Sequence, residues 1–540
     1  MLQTIPKPET RPVPAGIARY VRPPALIAAA LYTLITAVLL IASWYAAGHR
    51  FAYPLDDSYI GMAMAKNFAL HHVWGVSPWA FSSSDSSLLF PLLIAGTYTF
   101  TGVNQVTPLL LSWVFGLLAL FAAADILASF LSRTWQTVTL VALVLFTPLF
   151  VVGLLGMEHS LQLLLTLLFL RYFLLTPERT GRQHLWPVVT ALMVATRYES
   201  LFFVVPGLCI LLLQRRWRNA TMVAIGAAIP VIVYAGFSQA HGGFWLPNSV
   251  ALKGAQVHSG SLLAMVHNLA TTAAHNLHDG SVSLLLVLGA CAAGAFALVR
   301  RDSRRAIPLL LVVAAGAFHL GTARVGMLFR YEDYLIGAGI VALACAWPAL
   351  RPTSRRPLFL LTFWLALAGA GALTLRSLSA MHLIPVASRN IAWQQVQMAR
   401  FVHRFYPNST VAANDIGAIN YFNNVHSFDL IGLANADIFR ARRAGRETTA
   451  YVAADAAAHH VQIAIVYDSW FADPPPGWVG GPALPSSWIR VGRWTLPPGP
   501  VMGDHTVSFY AVDPAAASGL HTALAQFNPT LPAGVTTAWN

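Results

Sequence analysis

Runs of apolar residues separated by short polar segments fill the chain as far as residue 375. The first run, 24–47, is long enough to cross a bilayer, because about 20 apolar residues span the hydrocarbon core as a helix. Later runs lie at 87–103, 106–131, 137–155, 161–175, 185–195, 201–213, 220–238, 281–299, 307–322, 335–350 and 358–375. The pattern predicts an all-α polytopic membrane domain over residues 24–376, with about eleven transmembrane helices.

The composition agrees with a membrane protein. Hydrophobic residues make up 56% of the chain, charged residues 10%, and the mean hydropathy is +0.59. A soluble domain carries charges at roughly a quarter of its positions, so a soluble protein is excluded. The formal net charge of +13 does not indicate a nucleic-acid partner, because the basic residues form short clusters between apolar runs. The three cysteines all fall in apolar runs and imply no disulfide framework or thiolate metal site.

The basic clusters predict which loops lie on which side of the membrane. Residues 1–23 are basic and precede the first apolar run, which places the N-terminal segment in the cytoplasm. A cleaved signal peptide is disfavoured, since the run exceeds the usual apolar region and no small-residue cleavage site closes it. Clusters at 171–182, 215–218, 300–305 and 351–356 then belong inside, and the intervening loops outside.

This topology requires one apolar run not to cross. The loop 48–86 and the loop around Glu158 are both predicted outside, yet three runs separate them. The shortest, 87–103, is our candidate for a re-entrant or half-inserted helix, because it falls short of the usual spanning length.

The composition changes after residue 376, where Asp, Asn, Pro and Gly become frequent. Residues 377–540 are predicted to form a small α/β soluble domain, and an odd number of crossings places it outside the cytoplasm, in the periplasm. A helix is expected at 391–405. Short runs rich in β-forming residues predict strands at 410–413, 426–430, 461–466 and 507–512. No nucleophile elbow, phosphate loop or metal-ligand spacing is present in the sequence of this domain.

The pair Asp56–Asp57, in the predicted external loop 48–86, is the main functional candidate. Only 21 of 540 residues are Asp or Glu. Two adjacent acids beside a bilayer are energetically costly, which indicates that they have a function. A solvated start of a loop is the alternative interpretation, because loops carry most charge.

Five short motifs follow one another between residues 55 and 434. They read Leu55-Asp56-Asp57-Ser58-Tyr59-Ile60 with Ala65-Lys66-Asn67; Gly156-Met157-Glu158; Thr196-Arg197-Tyr198-Glu199; Leu246-Pro247-Asn248-Ser249 with Lys253; and Asn414-Asp415-Ile416-Gly417-Ala418-Ile419 with Asp429-Leu430-Ile431-Gly432-Leu433. In this order they resemble motifs of the GT-C glycosyltransferases, the integral-membrane enzymes that use polyprenyl-phosphate sugars. The arrangement is most similar to that of the mycobacterial membrane arabinofuranosyltransferases and their bacterial relatives.

The resemblance implies an inverting glycosyltransferase in the bacterial inner membrane. Its donor would be a polyprenyl-phosphate sugar, and its acceptor a glycan, lipid or protein of the cell envelope. Three positions depart from the family pattern, which affects the identity of the donor sugar more than the chemistry. They are Tyr198 in place of Pro, Asp85 within 82–87, and the acidic sequence 330–333.

Transfer of a sugar to a hydroxyl needs a base and a cation that holds the departing phosphate. Asp56 or Asp57 can act as the base. Arg330, Arg197 and Lys253, which the topology places outside, can contact the phosphate. Each arginine could instead snorkel at the end of a helix.

Glu158 and the adjacent His159 interrupt an apolar stretch, so the acid is expected to face a cavity or a partner. Glu158 either joins Asp56 around a divalent cation (Mg, Mn or Ca) or pairs with Arg197. Further candidate site residues are Tyr59, Asn248 and Asp85. The histidines at 71–72 and 459–460 are expected at the surface, and Trp470, Trp478, Trp488 and Trp494 are candidates for stacking on sugar rings or for core packing.

A transporter or flippase of lipid-linked sugars is the competing function. Such proteins often show internal repeats and broken helices in matching halves. The sequence shows no such repeat, and its acids lie in predicted external loops. A membrane-anchored binding or scaffolding protein is a third interpretation.

Overall fold

The computed structural model describes residues 23–175, 183–253, 270–276, 281–350, 356–472, 474 and 479–539. Up to residue 405 these residues form helices joined by loops. The α-helices of this part are Pro23–Ala46, Asp57–His71, Leu89–Thr101, Val106–Leu127, Arg133–Phe146, Leu149–Leu154, His159–Leu174, Trp186–Thr196, Leu201–Leu213, Trp217–Ala240, Asn248–Lys253, Val282–Leu298, Ser303–Thr322, Asp333–Leu350, Arg356–Trp393 and Gln395–Phe405. The predicted all-α membrane domain is therefore present.

Six helical stretches in the described part of the chain are long and apolar enough to cross a membrane. They are Pro23–Ala46, Val106–Leu127, Trp217–Ala240, Ser303–Thr322, Asp333–Leu350 and Pro357–Phe405. Six shorter apolar helices of 10–17 residues accompany them. The protein is thus a membrane protein, whereas the count of eleven crossings stays a prediction.

The helix Leu89–Thr101 occupies the run that was predicted not to cross. The backbone N–H of Leu88 donates to the carbonyl of Ala195, in the turn before Arg197. At the other end, the hydroxyl of Tyr53, in the loop of the Asp pair, donates to the carbonyl of Gln105 at 2.6 Å. Contacts with loops of the candidate site therefore lie on either side of this 13-residue helix, and its half-insertion in the membrane stays a prediction.

A single helix, Arg356–Trp393, runs through the predicted domain boundary at residue 376. Arg376 lies inside it and is buried, where it pairs with Glu332 at 3.2 Å and donates to the carbonyl of Phe329 at 2.7 Å. The two domains are therefore joined by a continuous helix at this point.

The C-terminal part is the predicted α/β domain. Its strands are β1 (Thr410–Ala413), β2 (His426–Asp429), β3 (Ile463–Val466), β4 (Ile489–Thr495), β5 (Thr506–Ala511) and β6 (Thr536–Trp539), and its α-helices are Gly417–Phe422, Ala436–Arg443, Thr449–Ala458 and Ala517–Phe527. The sheet order is β2-β1-β3-β5-β4-β6, with β2, β1 and β3 parallel and the remaining pairs antiparallel. Four of these strands match the predicted ones; β4 and β6 were not predicted.

The parallel half of the sheet positions the family motifs of this domain. The motif around Asp415 follows the carboxyl end of β1, and the motif around Asp429 follows that of β2. Because β1 and β2 are parallel neighbours, both motifs emerge at the same edge of the sheet. This edge faces the loops of the membrane domain.

Candidate active site

A cavity of about 160 Å³ lies between the loops of the membrane domain and the soluble domain. The membrane domain contributes two carboxylates, Asp57 and Asp85, and one exposed cation, Arg324. The soluble domain contributes Ile431, Leu433, Trp470 and Val479. The remaining lining residues are Ile60, Ser84, Ser86, Met157, Ser249, Leu252, Met327 and Tyr331. Residues from four of the five motifs therefore line one cavity.

Asp57 is the first residue of the helix Asp57–His71 and its side chain is 43% exposed to the cavity. Its Oδ2 accepts a hydrogen bond from Nη2 of Arg330. Arg330 is fully buried, and its other contacts are the Met157 sulfur at 2.9 Å and the Tyr331 hydroxyl at 2.9 Å. The arginine thus fixes the direction of the Asp57 carboxylate from behind the cavity wall.

A left-handed turn places Arg330. Met327, Leu328 and Phe329 have φ values of 50°, 57° and 62°, after Gly326 at 84°. Left-handed backbone is costly for residues with a side chain, so neighbouring contacts must maintain this turn. The backbone N–H of Gly326 donates to Glu332 at 2.9 Å, and Arg376 holds the carbonyl of Phe329. Glu332 therefore stabilises the turn, while Asp57 is the acid that pairs with Arg330.

Asp85 is half-buried in the second carboxylate position of the cavity. Its Oδ1 accepts from the backbone N–H of Ser87 at 2.9 Å. Burial and the negative charge of Glu158 raise the pKa of Asp85 to about 7. Near neutral pH this carboxyl can consequently donate a hydrogen bond in part of the molecules.

Glu158 and Arg197, both buried, form an ionic cluster with the half-buried Glu199 next to the cavity. One Nη of Arg197 lies 2.6 Å from Glu158 and the other 2.6 Å from Glu199. His159 is fully buried beside this cluster, with its ring 6.2 Å from that of Tyr331. Of the two alternatives for Glu158, the structure shows the pair with Arg197. Since Arg197 is only 3% exposed and has two acidic partners, it is not presented to the cavity.

Asp56 faces the soluble domain instead of the cavity. Its two carboxylate oxygens accept backbone N–H groups of Gly417 at 2.6 Å and Ala418 at 2.8 Å. These groups begin the helix Gly417–Phe422, which we call the docking helix. Burial raises the pKa of Asp56 well above its ordinary value, and the adjacent Asp415 carboxyl adds to the rise.

Two other residues of the first motif contact the far end of the docking helix. Nζ of Lys66 donates to the carbonyls of Asn420, Tyr421 and Asn423, each at 2.9 Å. The ring of Tyr59 is fully buried, 5.8 Å from that of Tyr421. Tyr59 was a candidate site residue, whereas Lys66 was named only as part of the first motif. Both lie in the interface between the domains.

Asn248 joins the fourth motif to the fifth. Its side-chain NH2 donates to the carbonyls of Gly432 at 3.3 Å and Leu433 at 3.1 Å, and its backbone N–H donates to Ser83 at 3.0 Å. The next residue, Ser249, lines the cavity. The side chain of Lys253, a predicted phosphate ligand, lies outside the described residues.

Asp56 and Glu158, the predicted metal ligands, each have other partners, as described above. Among the described residues, one group of three side chains is close enough to share a metal ion: Asp437, Asp455 and His459, on the soluble domain. His459 is exposed, as predicted, and none of the three residues lines the cavity.

Several polar residues that line the cavity were not among the sequence candidates: Arg324, Tyr331, Ser249, Ser84 and Ser86. Arg324 and Arg330 both lie between the apolar runs 307–322 and 335–350, and only Arg330 was a sequence candidate. Of the four tryptophans, Trp470 lines the cavity, Trp488 and Trp494 are buried in the soluble domain, and Trp478 lies outside the described residues.

Comparisons with known proteins bear on the fold. Residues 389–510 match a family described as a domain of unknown function (DUF8728). A search of curated proteins finds none that matches this sequence. The crystal structure of ArnT from Cupriavidus metallidurans bound to undecaprenyl phosphate is similar over 90% of this chain and 98% of its own, with 13% identity and a TM-score of 0.51.

Two structures of an oligosaccharyltransferase from Archaeoglobus fulgidus are also similar. The apo form matches over 91% of this chain and 74% of its own, with 13% identity and a TM-score of 0.50. The form tethered to an acceptor peptide containing the NVT sequon matches over 95% and 75%, with 12% identity and a TM-score of 0.50. The predicted GT-C-like fold is confirmed, because this chain shares the fold of ArnT and of the archaeal oligosaccharyltransferase.

Proposed function

We propose that this membrane protein of GT-C fold is a glycosyltransferase that moves a sugar from a polyprenyl-phosphate donor to a hydroxyl or amide of a cell-envelope acceptor. The observation that carries the proposal is the cavity between the domains, where a carboxylate fixed by an arginine, Asp57, shares the wall with an exposed cation, Arg324. The fold likeness to ArnT bound to undecaprenyl phosphate supports a lipid-phosphate donor.

Asp57 is the base in this proposal. It takes the proton from the acceptor as the acceptor atom bonds to the anomeric carbon, and the bond from that carbon to the phosphate oxygen breaks with its electrons on the phosphate. A single displacement of this kind inverts the anomeric centre. Asp56 is the less suitable base, because both of its oxygens accept backbone hydrogen bonds outside the cavity.

Arg324 is the group that meets the departing phosphate. It is exposed on the cavity wall, whereas Arg330 and Arg197 are buried. A guanidinium suits phosphate because its planar N–H groups can donate two parallel hydrogen bonds. We therefore assign Arg330 to the orientation of Asp57 and Arg197 to the ionic cluster with Glu158.

The remaining wall suits a sugar attached to a lipid. Ile60, Leu252 and Met327 give apolar surface, Ser84 and Ser86 give hydroxyl groups, and Trp470 gives an aromatic face. Hydroxyls and a partly protonated Asp85 can hydrogen-bond sugar hydroxyls, while an aromatic ring can pack against the C–H face of a sugar.

The arrangement favours an enzyme over a transporter. The polar and ionic side chains of the five motifs gather at one end of the helices, beneath the soluble domain, as expected for chemistry at one membrane face. By the positive-inside rule this face is the periplasmic one, with the N-terminus in the cytoplasm of a bacterial inner membrane.

The proposal is tested by incubating the purified protein with radiolabelled polyprenyl-phosphate sugars and envelope extract. Label should pass into the extract with the wild type, and transfer should fall by about 10²–10⁴-fold with Asp57→Asn, as for the loss of a positioned base. Asp125→Asn, which changes an acid paired with Arg171 away from the cavity, is the matched control and should remain active. An Asp57→Asn variant that transfers label at the wild-type rate would contradict the assignment of the base. If the wild type transferred label from none of the polyprenyl-phosphate sugars, the proposed function would be contradicted.

A further inference from the structure

The docking helix Gly417–Phe422 is held at both ends by side chains from one segment of the membrane domain. Asp56 accepts the N–H groups of Gly417 and Ala418 at its start. Lys66 donates to the carbonyls of Asn420 and Tyr421 at its end. A carboxylate at a helix N-terminus and an ammonium at a C-terminus both match the unpaired backbone groups that a helix leaves there.

The fit between the two domains at this point is tight. Asp56 and Lys66 are each 7% exposed, and Asn67, which follows Lys66, is fully buried. A Cβ atom on Gly417 would overlap the backbone oxygen of Asp56 and lie 2.5 Å from its Oδ2. Only glycine therefore allows the docking helix to approach this close.

We infer that Asp56 and Lys66 form a clamp that docks the soluble domain and thereby assembles the cavity. They are positioning residues: they act through the placement of the docking helix, and neither lines the cavity. The inference rests on the proposed function only for its kinetic consequence.

The clamp matters because one wall of the cavity belongs to the soluble domain. Ile431, Leu433 and Trp470 line the cavity. The first two follow β2 and Trp470 follows β3, in the same sheet as β1, which precedes the docking helix. A second contact, from Asn248 to Gly432 and Leu433, supports the same wall from the other side. Release of the docking helix should leave Asp57 and Arg324 in place but displace the wall opposite them.

Gly417→Ala is the decisive variant, because it disturbs the clamp without removing an ionisable group. Its matched control is Gly519→Ala, in the helix Ala517–Phe527 of the same domain, where a Cβ meets no heavy atom within 4 Å. Lys66→Met tests the other end, and Lys66→Arg, which keeps a cation with N–H donors, should restore part of the contact.

Hydrogen exchange of the full-length protein in nanodiscs reads the docking directly. Exchange of residues 417–424 should accelerate by about tenfold or more in Gly417→Ala, Asp56→Asn and Lys66→Met, as expected from lost hydrogen bonds to charged groups. Gly519→Ala and Asp57→Asn should leave this segment protected. In the transfer assay the three clamp variants should raise the acceptor KM more than they lower kcat, whereas Asp57→Asn should lower kcat.

Two outcomes would overturn the inference. In the first, Asp56→Asn abolishes transfer although residues 417–424 stay protected from exchange, and Gly417→Ala remains active. That result would make Asp56 a catalytic residue. The other is unchanged protection in all three clamp variants. If Gly417→Ala fails to fold, the comparison of Lys66→Met with Lys66→Arg decides the matter. Because exchange is measured without substrate, failure of the proposed function would leave this result interpretable.

Discussion

Arg330→Lys separates a residue that orients the base from one that binds the donor. The substitution keeps the positive charge but loses the planar fork that reaches three partners at once: Asp57, the Met157 sulfur and the Tyr331 hydroxyl. A lysine ammonium can keep one of these contacts. We expect Asp57 to remain charged and partly paired but to lose its fixed direction.

The size of the effect follows from the contacts that are lost. A hydrogen bond to a charged group contributes about 1.5–3 kcal/mol, and every 1.36 kcal/mol of transition-state stabilisation is about tenfold in rate. If the loss of one such contact is expressed mainly in the transition state, kcat should fall by roughly 10–100-fold. The donor KM should change little, because Arg330 is buried behind the cavity wall and is not among its lining residues.

Steady-state kinetics with a labelled polyprenyl-phosphate sugar, together with thermal unfolding, decides between the alternatives. Arg330→Lys should show the loss in kcat with a melting temperature lowered by a few degrees at most, since the buried charge is retained. A donor KM raised with unchanged kcat would refute the reasoning and make Arg330 a phosphate ligand. Reduced stability with normal kinetics would instead show that Arg330 only braces its neighbours.

The other predictions concern the phosphate, the second carboxyl and the metal alternative. Arg324→Gln should raise the donor KM by about tenfold or more with a smaller effect on stability, measured in the same assay; an unaltered KM would remove Arg324 from donor binding. Because the pKa of Asp85 is raised to about 7, the donor KM should increase as the pH passes above that value, and Asp85→Asn, which keeps an N–H donor, should abolish this pH dependence. Chelation by EDTA should leave transfer unchanged if Asp56 and Glu158 keep the partners seen here, and a loss restored by one divalent cation would support the metal alternative.

A strand of the soluble domain could be predicted where it forms a short apolar run. The strand Ile463–Val466 is buried on every residue and reads as a short apolar run. By contrast, β4 contains two arginines and a glycine, and its pairing with β5 shifts register between Arg490 and Gly492. Such a strand shows no regular alternation of apolar and polar residues. The strand β6 lies at the edge of the sheet and pairs only with β4. Local pattern was therefore insufficient for both.

The motifs identified the site, but not the partners within it. Glu332 and Asp333 are the acids nearest to Arg330 in sequence. The left-handed turn at 327–329 redirects the chain, so that Glu332 meets Arg376 and the turn itself, while Arg330 meets Asp57 from a segment 273 residues earlier. No short-range signal in the sequence encodes a pairing of that separation.

The division of labour between Asp56 and Asp57 arises from the start of a helix. Successive residues of an α-helix point about 100° apart, given 3.6 residues per turn, so two adjacent acids at a helix N-terminus cannot serve one site in the same way. Here Asp57 turns toward Arg330 and the cavity, and Asp56 turns toward Gly417 and Ala418. Under the proposed function, the acidic pair would meet two requirements of an enzyme built from two domains: one carboxylate would contact the reacting groups, and the other would keep the second domain over them. A single acid at this position could satisfy only one of these requirements, which gives a physical reason for two acids at the start of this helix in a chain that otherwise contains few.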